Sequence, residues 1–228
     1  MHAFSPSSEY TAILESLQQL RAAGSAPKVF GSETHGFKLN APLTEEAVTQ
    51  FESGHGVRLP EDYRGFLIRV GNGGAGPAYG MFRLLEMDDG HGTCRWRENN
   101  GFVGILSQPF PHTEAWNDLT NKPHFEEADI VNEADEDEKM AKIDAWEENH
   151  YWNSRHVNGA IPICHLGCAI RQWLVITGDE AGHVWNDQRV GEKGLSPVQF
   201  GVHKRVSFLQ WYRSWLEDAL EKSAIRDA

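Results

Sequence analysis

Three glycines, Gly71, Gly73 and Gly76, have the G-x-G-x-x-G spacing that binds the pyrophosphate of a dinucleotide. That chemistry needs a strand before the motif and a helix after it, because amides at the helix N-terminus contact the phosphates. Here the residues before the motif have helical spacing, and Pro77 breaks any helix that follows. We therefore predict that residues 71–76 form a structural turn and bind no dinucleotide.

Cysteine and histidine side chains offer a second chemistry, because Cys164, His165 and Cys168 lie close together in the sequence. His91 and Cys94 would be further ligands if these residues bound zinc. The spacing matches no familiar zinc motif, so we expect buried structural cysteines and no metal site. Three cysteines are also too few for a disulfide framework, which favours a reducing, cytoplasmic compartment.

The eleven histidines fall in no recognisable metalloprotease, nucleophile-elbow or Cys-His signature. From these residues we therefore assign no catalytic residue and no cofactor. A metal-assisted hydrolase that uses His with Asp or Glu is the alternative, and metal analysis of the purified protein tests it.

Acidic residues dominate the charge, since 33 Asp and Glu stand against 21 Lys and Arg, a formal net charge of -12. This balance argues against nucleic acid as a partner and favours a basic protein. Thirteen of the acidic residues lie between positions 114 and 148, against three lysines. We expect neither a signal peptide nor a membrane span, because no apolar run is long enough.

The 228 residues suffice for one domain with a sizeable insertion. We assign residues 1–40 to an N-terminal helical extension and residues 41–228 to the domain. Within it, residues 88–158 are predicted to be an irregular, partly helical insertion, called the insertion below. Its most acidic run, residues 133–138, is too charged to bury apolar surface, so it is a solvated loop or the start of an acidic helix toward Trp146.

Apolar spacing predicts the elements that position these residues. A helix ends near Gly24, a second begins after the N-cap Thr44, a third after Pro60, and a last one at Ser207. Between the third and the last of these helices, apolar residues recur with a period of two, as in a strand. The predicted strands are residues 161–164, 170–177 and 183–185, the last two joined as a hairpin. Helices, then strands, then a helix indicate an α+β fold with a mainly antiparallel sheet flanked by helices.

The eight tryptophans divide into two groups of four. Those predicted to pack between the hairpin and the last helix are Trp173, Trp185, Trp211 and Trp215. Those in the polar insertion, without an evident core, are candidates for a binding surface: Trp96, Trp116, Trp146 and Trp152.

Several of these segments together resemble the signature of the SUKH superfamily. They are LTEEAV at residues 43–48, GVRLPEDY at residues 56–63 and NGG at residues 72–74. The strand pair within residues 170–187 and the Ser-Phe-Leu that opens the last helix at 207–209 follow in the same order. The first helix and the long insertion depart from a compact member.

The resemblance implies an α+β fold without enzymatic chemistry. Many bacterial relatives are immunity proteins that bind and neutralise toxin domains, often nucleases, while fungal relatives act in cell-wall regulation. Our first hypothesis is therefore an immunity protein whose partner is a cognate, basic toxin. The alternative is a regulatory or scaffold protein that recruits cellular partners. The sequence does not indicate an oligomeric state.

The insertion is the predicted partner surface, because its negative charge lies beside aromatic residues that the helix and strand patterns do not require. The residues expected to steer a basic partner are Glu133, Asp135, Glu136, Asp137 and Glu138. The residues expected to supply apolar anchors are Trp146, Tyr151 and Trp152. The alternative is an acidic segment that only solvates the protein.

Overall fold

The structure is a computed structural model, and it describes residues 6–24, 29–88, 93–99, 102–126 and 129–224. The helices of this part of the chain are α1 Pro6–Ala22, α2 Glu45–His55, α3 Glu61–Arg69, α4 Glu133–Trp146 and α5 Phe208–Ala224. Its strands are β1 Glu86–Asp88, β2 Thr93–Arg95, β3 Ala160–Gly167, β4 Ile170–Val175, β5 Val184–Asp187 and β6 Leu195–Pro197. The predicted helices and strands are confirmed, and the three-residue strands β1, β2 and β6 were too short to predict.

The main sheet is antiparallel, with the strand order β3-β4-β5-β6, and β1 pairs with β2 in a separate hairpin. Since Gly167 pairs with Ile170, the turn between β3 and β4 consists of Cys168 and Ala169 alone. Both have positive φ, 49° and 60°, as a two-residue hairpin turn of type I′ requires. The α+β fold with a mainly antiparallel sheet is therefore confirmed.

Alternation along β4 directs side chains to two covered faces of the sheet. On one face Gln172 accepts a hydrogen bond from Nε1 of Trp211 in α5 at 3.0 Å. On the other face Arg171 and Trp173 lie against the insertion. The sheet therefore forms the middle layer of the domain, with α5 on one side and the insertion on the other.

Aromatic packing joins α5 to α3 on the helical side. Phe208 contacts Tyr63 and Phe66 edge to face, with ring centroids 4.8 and 5.1 Å apart. The hydroxyl of Tyr212 donates to the carbonyl of Ala75 at 2.9 Å, which ties the same helix to the glycine turn. The core of the domain includes residues of the helices α1, α2, α3 and α5 and of the sheet, and it continues into the insertion through Trp96 and Phe110.

The glycine turn that follows α3 is confirmed as a structural turn. Gly74 and Met81 exchange backbone hydrogen bonds at 3.0 and 2.7 Å, and the amide of Ala75 donates to the carbonyl of Lys38 at 2.8 Å. Gly74 has φ 101°, and a Cβ there would lie 2.6 Å from the same Lys38 carbonyl oxygen. A helix precedes the turn and none follows it within residues 71–85, so the strand-turn-helix context of a dinucleotide site is missing from these residues.

Candidate functional site

The most acidic run of the chain, residues 133–138, begins helix α4, so it is the acidic helix and not the solvated loop that the sequence left as the alternative. The side chain of Asn132 caps the helix by accepting from the amide of Asp135 at 3.1 Å. Acidic residues in the first turn also interact favourably with the helix dipole. Asp135 accepts from the amide of Val131 at 3.0 Å and pairs with Lys139 at 2.7 Å, and the hydrogen bond from Lys139 lowers the pKa of this carboxyl. The N-terminus of α4 is therefore pre-organised.

One face of α4 lies toward the rest of the insertion. The residues Asp135, Lys139, Ile143 and Trp146 recur at helical spacing and are half-buried, whereas no residue of the helix is fully buried. On this face Lys139 also donates to the carbonyl of Asp129. The helix is thus attached along one side and exposed around the remainder of its circumference.

Next to the attached face, α4 carries an acidic stripe, defined by Glu133, Glu136, Asp137, Met140 and Asp144. These residues lie at i, i+3, i+4, i+7 and i+11, and all are exposed. Met140, the apolar member, is 50 % exposed. None of the four carboxylates of the stripe makes an ion pair with a residue that the structure describes.

The eight predicted site residues do not form one surface. Of the five acidic residues, three lie on the acidic stripe, but Asp135 lies on the attached face and Glu138 pairs with Lys142 at 2.8 Å on the flank. Asp144 and Met140 were missed, although their helical spacing from residue 133 is visible in the sequence. The acidic stripe therefore contains Asp144 and Met140, which were not predicted, and lacks Asp135 and Glu138, which were.

An aromatic stack attaches the end of α4 to the sheet, after one π-helical turn at residues 147–151. The stack consists of Trp146, Tyr151, Trp116, His156 and His112. Successive ring centroids along the first four lie 6.1, 5.5 and 4.0 Å apart, and each pair is nearly parallel. His112 stacks on His156 at 5.6 Å, and Trp116 pairs with the sheet strand β6 through its backbone.

The expectation that Tyr151 is an exposed anchor is wrong, because its side chain is 2 % exposed. Its hydroxyl donates to Oδ1 of Asn117 at 2.6 Å and accepts from the amide of Gly194 at 3.0 Å. Trp96 is likewise a core residue, 1 % exposed, packed edge to face against Phe51. Both rings find their partners far away in the sequence, so the local polarity of the insertion gave no sign of their burial.

A buried ion pair fixes the segment after α4. Arg189 donates from Nε and one terminal nitrogen to the two oxygens of Asp187, at 2.9 and 2.7 Å, and the two residues are 4 % and 2 % exposed. A further donor of Arg189 contacts the carbonyl of Tyr151 at 3.2 Å. Its guanidinium lies 4.8 Å from the ring centroid of Trp152, which positions that side chain.

Trp152 lines a cavity of about 460 Å³ between the sheet and the insertion, called the Trp152 pocket. Its lining includes Phe102, Glu148, Trp152, Arg171, Trp173 and the pair Asp187–Arg189. Of the three predicted anchors, Trp152 thus borders an open site, while Trp146 is half-buried in the aromatic stack. The pocket begins at the C-terminal end of the segment that carries the acidic stripe.

The two histidines of the aromatic stack predict a pH dependence of stability. Burial lowers the pKa of His112 and of His156 to about 4, and the charge of Arg189 acts in the same direction. Unfolded histidine has a pKa of about 6.5, so the unfolded chain binds these protons first as the pH falls. We expect the urea midpoint to be constant above about pH 7 and to fall as the pH decreases from about 6.5 toward 4.

The matched variant is the double substitution His112→Gln and His156→Gln. Its urea midpoint at pH 7 will be lower, but its decrease between pH 7 and pH 5 will be smaller than that of the wild type. Equal decreases in the two proteins would show that the stack does not cause the pH dependence.

The cysteines differ from the expectation in one respect. Cys164 is fully buried, and burial raises the pKa of its thiol, whereas Cys168 is exposed at the β3–β4 turn rather than buried. No group of three or more His, Cys, Asp or Glu side chains is placed to bind a metal ion within the described ranges. His91 and the side chain of Cys94 lie outside them.

The length and the hydropathy of the helices decide whether any of them could span a membrane. Among the described residues, no helix is both long enough and apolar enough to cross a membrane.

Comparison with known proteins gives one match, to a family model. Neither a curated protein nor a solved structure matches the chain. The family model of the SMI1 / KNR4 family (SUKH-1) matches residues 42–187, from the start of α2 through β5. This range includes the resembling segments between residues 43 and 74, the strands β3, β4 and β5 and the acidic stripe, whereas strand β6 and the Ser-Phe-Leu at 207–209 lie outside it. The chain belongs to the SMI1 / KNR4 family (SUKH-1).

Proposed function

We propose that this chain is a non-catalytic immunity protein that binds and neutralises a basic, nuclease-type toxin domain through the acidic stripe. The observation that carries the proposal is the exposed face of α4, where four carboxylates lie without a compensating cation among the described residues. The SUKH resemblance supports the same assignment, because many bacterial members of that superfamily are immunity proteins.

Electrostatics favours a basic partner for this face. Residues 133–148 contain eight acidic side chains against Lys139 and Lys142. A nuclease presents Lys and Arg to the phosphates of its substrate, so an acidic surface is complementary to it. Such charges accelerate the encounter of the two proteins over roughly the Debye length of 8–10 Å at physiological salt.

The shape of the acidic stripe also suits a protein partner. From Glu133 to Asp144 a helix rises by about 16 Å, at about 1.5 Å per residue, so several cations of a partner have room to contact it. The cap at Asn132 and the aromatic stack hold the helix before a partner arrives. Less conformational entropy is then lost on binding than for a disordered acidic segment.

An immunity gene is expected to lie beside the gene of its toxin, so the test uses a toxin domain that a neighbouring gene encodes and that co-purifies with this protein. The variant Glu136→Gln, Asp137→Asn, Asp144→Asn leaves the cap of α4 intact. We expect it to slow association by about tenfold or more at low salt and to flatten the salt dependence of the rate. Trp152→Ala should mainly raise the dissociation rate.

The control variant is Glu15→Gln, Glu33→Gln, Glu221→Gln, which removes the same charge from exposed residues on other elements. It should change the association rate by less than about twofold. Equal rates and equal salt dependence for wild type and the stripe variant would exclude the acidic stripe as the steering surface. A cellular partner without any adjacent toxin gene would instead support the regulatory or scaffold alternative.

A further inference from the structure

Three single-residue bridges continue the main sheet beyond β3. Leu39 pairs with Gly74, Gly74 with Met81, and Met81 with Cys164. Met81 and Cys164 are buried, so alternation places their neighbours on the outer face of this extension. A cavity of about 420 Å³ is lined by residues of the extension and is called the Lys38 pocket. Its volume falls within the range of sites that bind small organic ligands.

Aromatic side chains form one wall of the Lys38 pocket. The ring centroid of His165 lies 5.7 Å from that of Tyr79 and 6.5 Å from that of Phe82, with interplanar angles of 32° and 15°. Beside this wall the lining includes Gly74 and Gly80. Gly80 has φ 102°, and a Cβ there would lie 2.5 Å from the carbonyl oxygen of Gly74. The glycines thus leave an open floor on which a flat ring can lie against the aromatic wall.

Two cations line the same pocket. Lys38 is exposed, and its ammonium group makes no ion pair or hydrogen bond with a residue that the structure describes. Arg83 donates from one terminal nitrogen to Oδ1 of Asn40 at 3.0 Å, and its Nε lies 3.9 Å from a carboxylate oxygen of Glu86. Asn40 is held in turn, because its Nδ2 donates to the carbonyl of Asn72 at 3.1 Å. The guanidinium is therefore oriented, while its second terminal nitrogen has no partner within the described ranges.

The charge of the lining suits an anion with one negative charge. Lys38 and Arg83 lie with a single carboxylate, that of Glu86, so these side chains leave one net positive charge. Burial lowers the pKa of His35, another residue of the lining, so its ring is neutral at pH 7. The planar fork of an arginine matches the two oxygens of a carboxylate. In a chain of net charge -12, this local excess of cations is not a consequence of the composition.

We propose that the Lys38 pocket binds a small aromatic acid through its ring and its carboxylate. The ring packs against Tyr79 and His165 over the glycine floor, and the carboxylate contacts Lys38 and Arg83. An exposed ion pair alone contributes little, so both parts of the ligand are needed. Lys38 lies before residue 42, where the family match begins, so the match does not include the whole site. The inference is independent of the proposed function, because it needs no protein partner.

The first test is an NMR titration of the whole protein with benzoate, followed through the amide signals of Gly74 and Gly80. The comparison probes are benzamide, which keeps the ring without the charge, and acetate and inorganic phosphate, which are anions without a ring. We expect saturable, low-millimolar binding of benzoate and at least fivefold weaker binding of the other three probes. No saturable binding of benzoate, or equal or tighter binding of any comparison probe, would overturn the proposal.

Two variants locate the bound benzoate. Lys38→Gln removes the unpaired ammonium group and Tyr79→Ala removes one ring of the wall, so each should weaken binding at least threefold. The matched controls are Lys204→Gln and Phe200→Ala, which make the same changes at exposed residues elsewhere and should leave binding unchanged. Because Lys38 is exposed, Lys38→Gln should keep the urea midpoint of the wild type. Unchanged binding of benzoate in this variant would place the probe outside the pocket and refute the inference.

The C-terminus of a protein that ends in an aromatic residue carries the same two groups as an aromatic acid. The volume of the Lys38 pocket suffices for one ring with its carboxylate, which favours the free acid. N-acetylphenylalanine is the probe that separates the two sources. Equal or weaker binding of N-acetylphenylalanine than of benzoate supports a free aromatic acid, whereas tighter binding would assign the pocket to a protein C-terminus and overturn the proposal.

Discussion

Replacing Arg189 by methionine is expected to lower the free energy of unfolding by about 3–5 kcal/mol, as measured by urea denaturation at pH 7. The substitution leaves the carboxylate of Asp187 buried at 2 % exposure, without its two strongest hydrogen bonds. The remaining donors to this carboxylate are Nε1 of Trp173, at 3.1 Å, and the backbone amide of residue 189, at 3.2 Å. These two neutral donors do not compensate for an unpaired charge in this position.

The double variant Asp187→Leu, Arg189→Met is the control, because it removes both charges together. We expect it to be more stable than Arg189→Met alone, since no uncompensated charge remains. A loss of less than about 1 kcal/mol in the single variant would contradict the assignment of this pair as a structural anchor.

The same substitution should loosen the segment after α4. The carbonyl of Tyr151 loses its donor and Trp152 loses the guanidinium over its ring. We expect faster hydrogen exchange of the amides of residues 147–152, while those of α2 and α3 keep their protection. The ion pair would then be the link between the sheet and the proposed partner surface.

Replacing Trp211 by alanine is also expected to lower the free energy of unfolding by about 3–5 kcal/mol. Its ring is 2 % exposed and packs on Phe208, with centroids 5.6 Å apart. Its Nε1 donates to Gln172, which is itself buried in the sheet. The substitution therefore removes a large apolar contact and leaves a buried amide oxygen without this donor.

Two further variants separate those contributions in the same urea measurement. Trp211→Phe keeps much of the apolar contact. It should lower the free energy of unfolding by about 1–3 kcal/mol, mainly because the hydrogen bond is lost. Trp215→Ala should cost less than Trp211→Ala, because Trp215 is half-buried and stacks on Phe37 at the edge of the helix. An unchanged midpoint in Trp211→Ala would mean that this face of α5 does not anchor the sheet.

The local sequence pattern was sufficient to predict most helices and strands of the fold. The helix α2 after Thr44, the helix α3 after Pro60 and the strand β4 all follow from capping, helical spacing and β-branched composition within a few residues. The glycine turn could also be predicted, since a helical pattern precedes it and Pro77, which breaks a helix, follows it. These features depend on interactions between neighbours in the sequence, which is why the sequence alone shows them.

The candidate site could be predicted only in part. The charge of residues 133–138 is a property of composition, so the sequence located it but left a solvated loop and an acidic helix as alternatives, and the structure shows the helix. Which side of α4 is free depends on where Lys139 and Trp146 find partners, and that is a tertiary contact. The exposed position of Asp144 follows from the same attachment.

By itself, then, the sequence determined the family, the α+β class, the acidic charge and the regular helices and strands. Only the tertiary structure decided that Tyr151 and Trp96 are core residues and that Trp152 borders a pocket. The partners of Tyr151 are Asn117 and Gly194, and Trp152 contacts Arg189, all more than thirty residues away in the chain. Hydrophobic periodicity reports only the near neighbours of a residue, so burial by such distant partners becomes visible only when the insertion packs against the sheet.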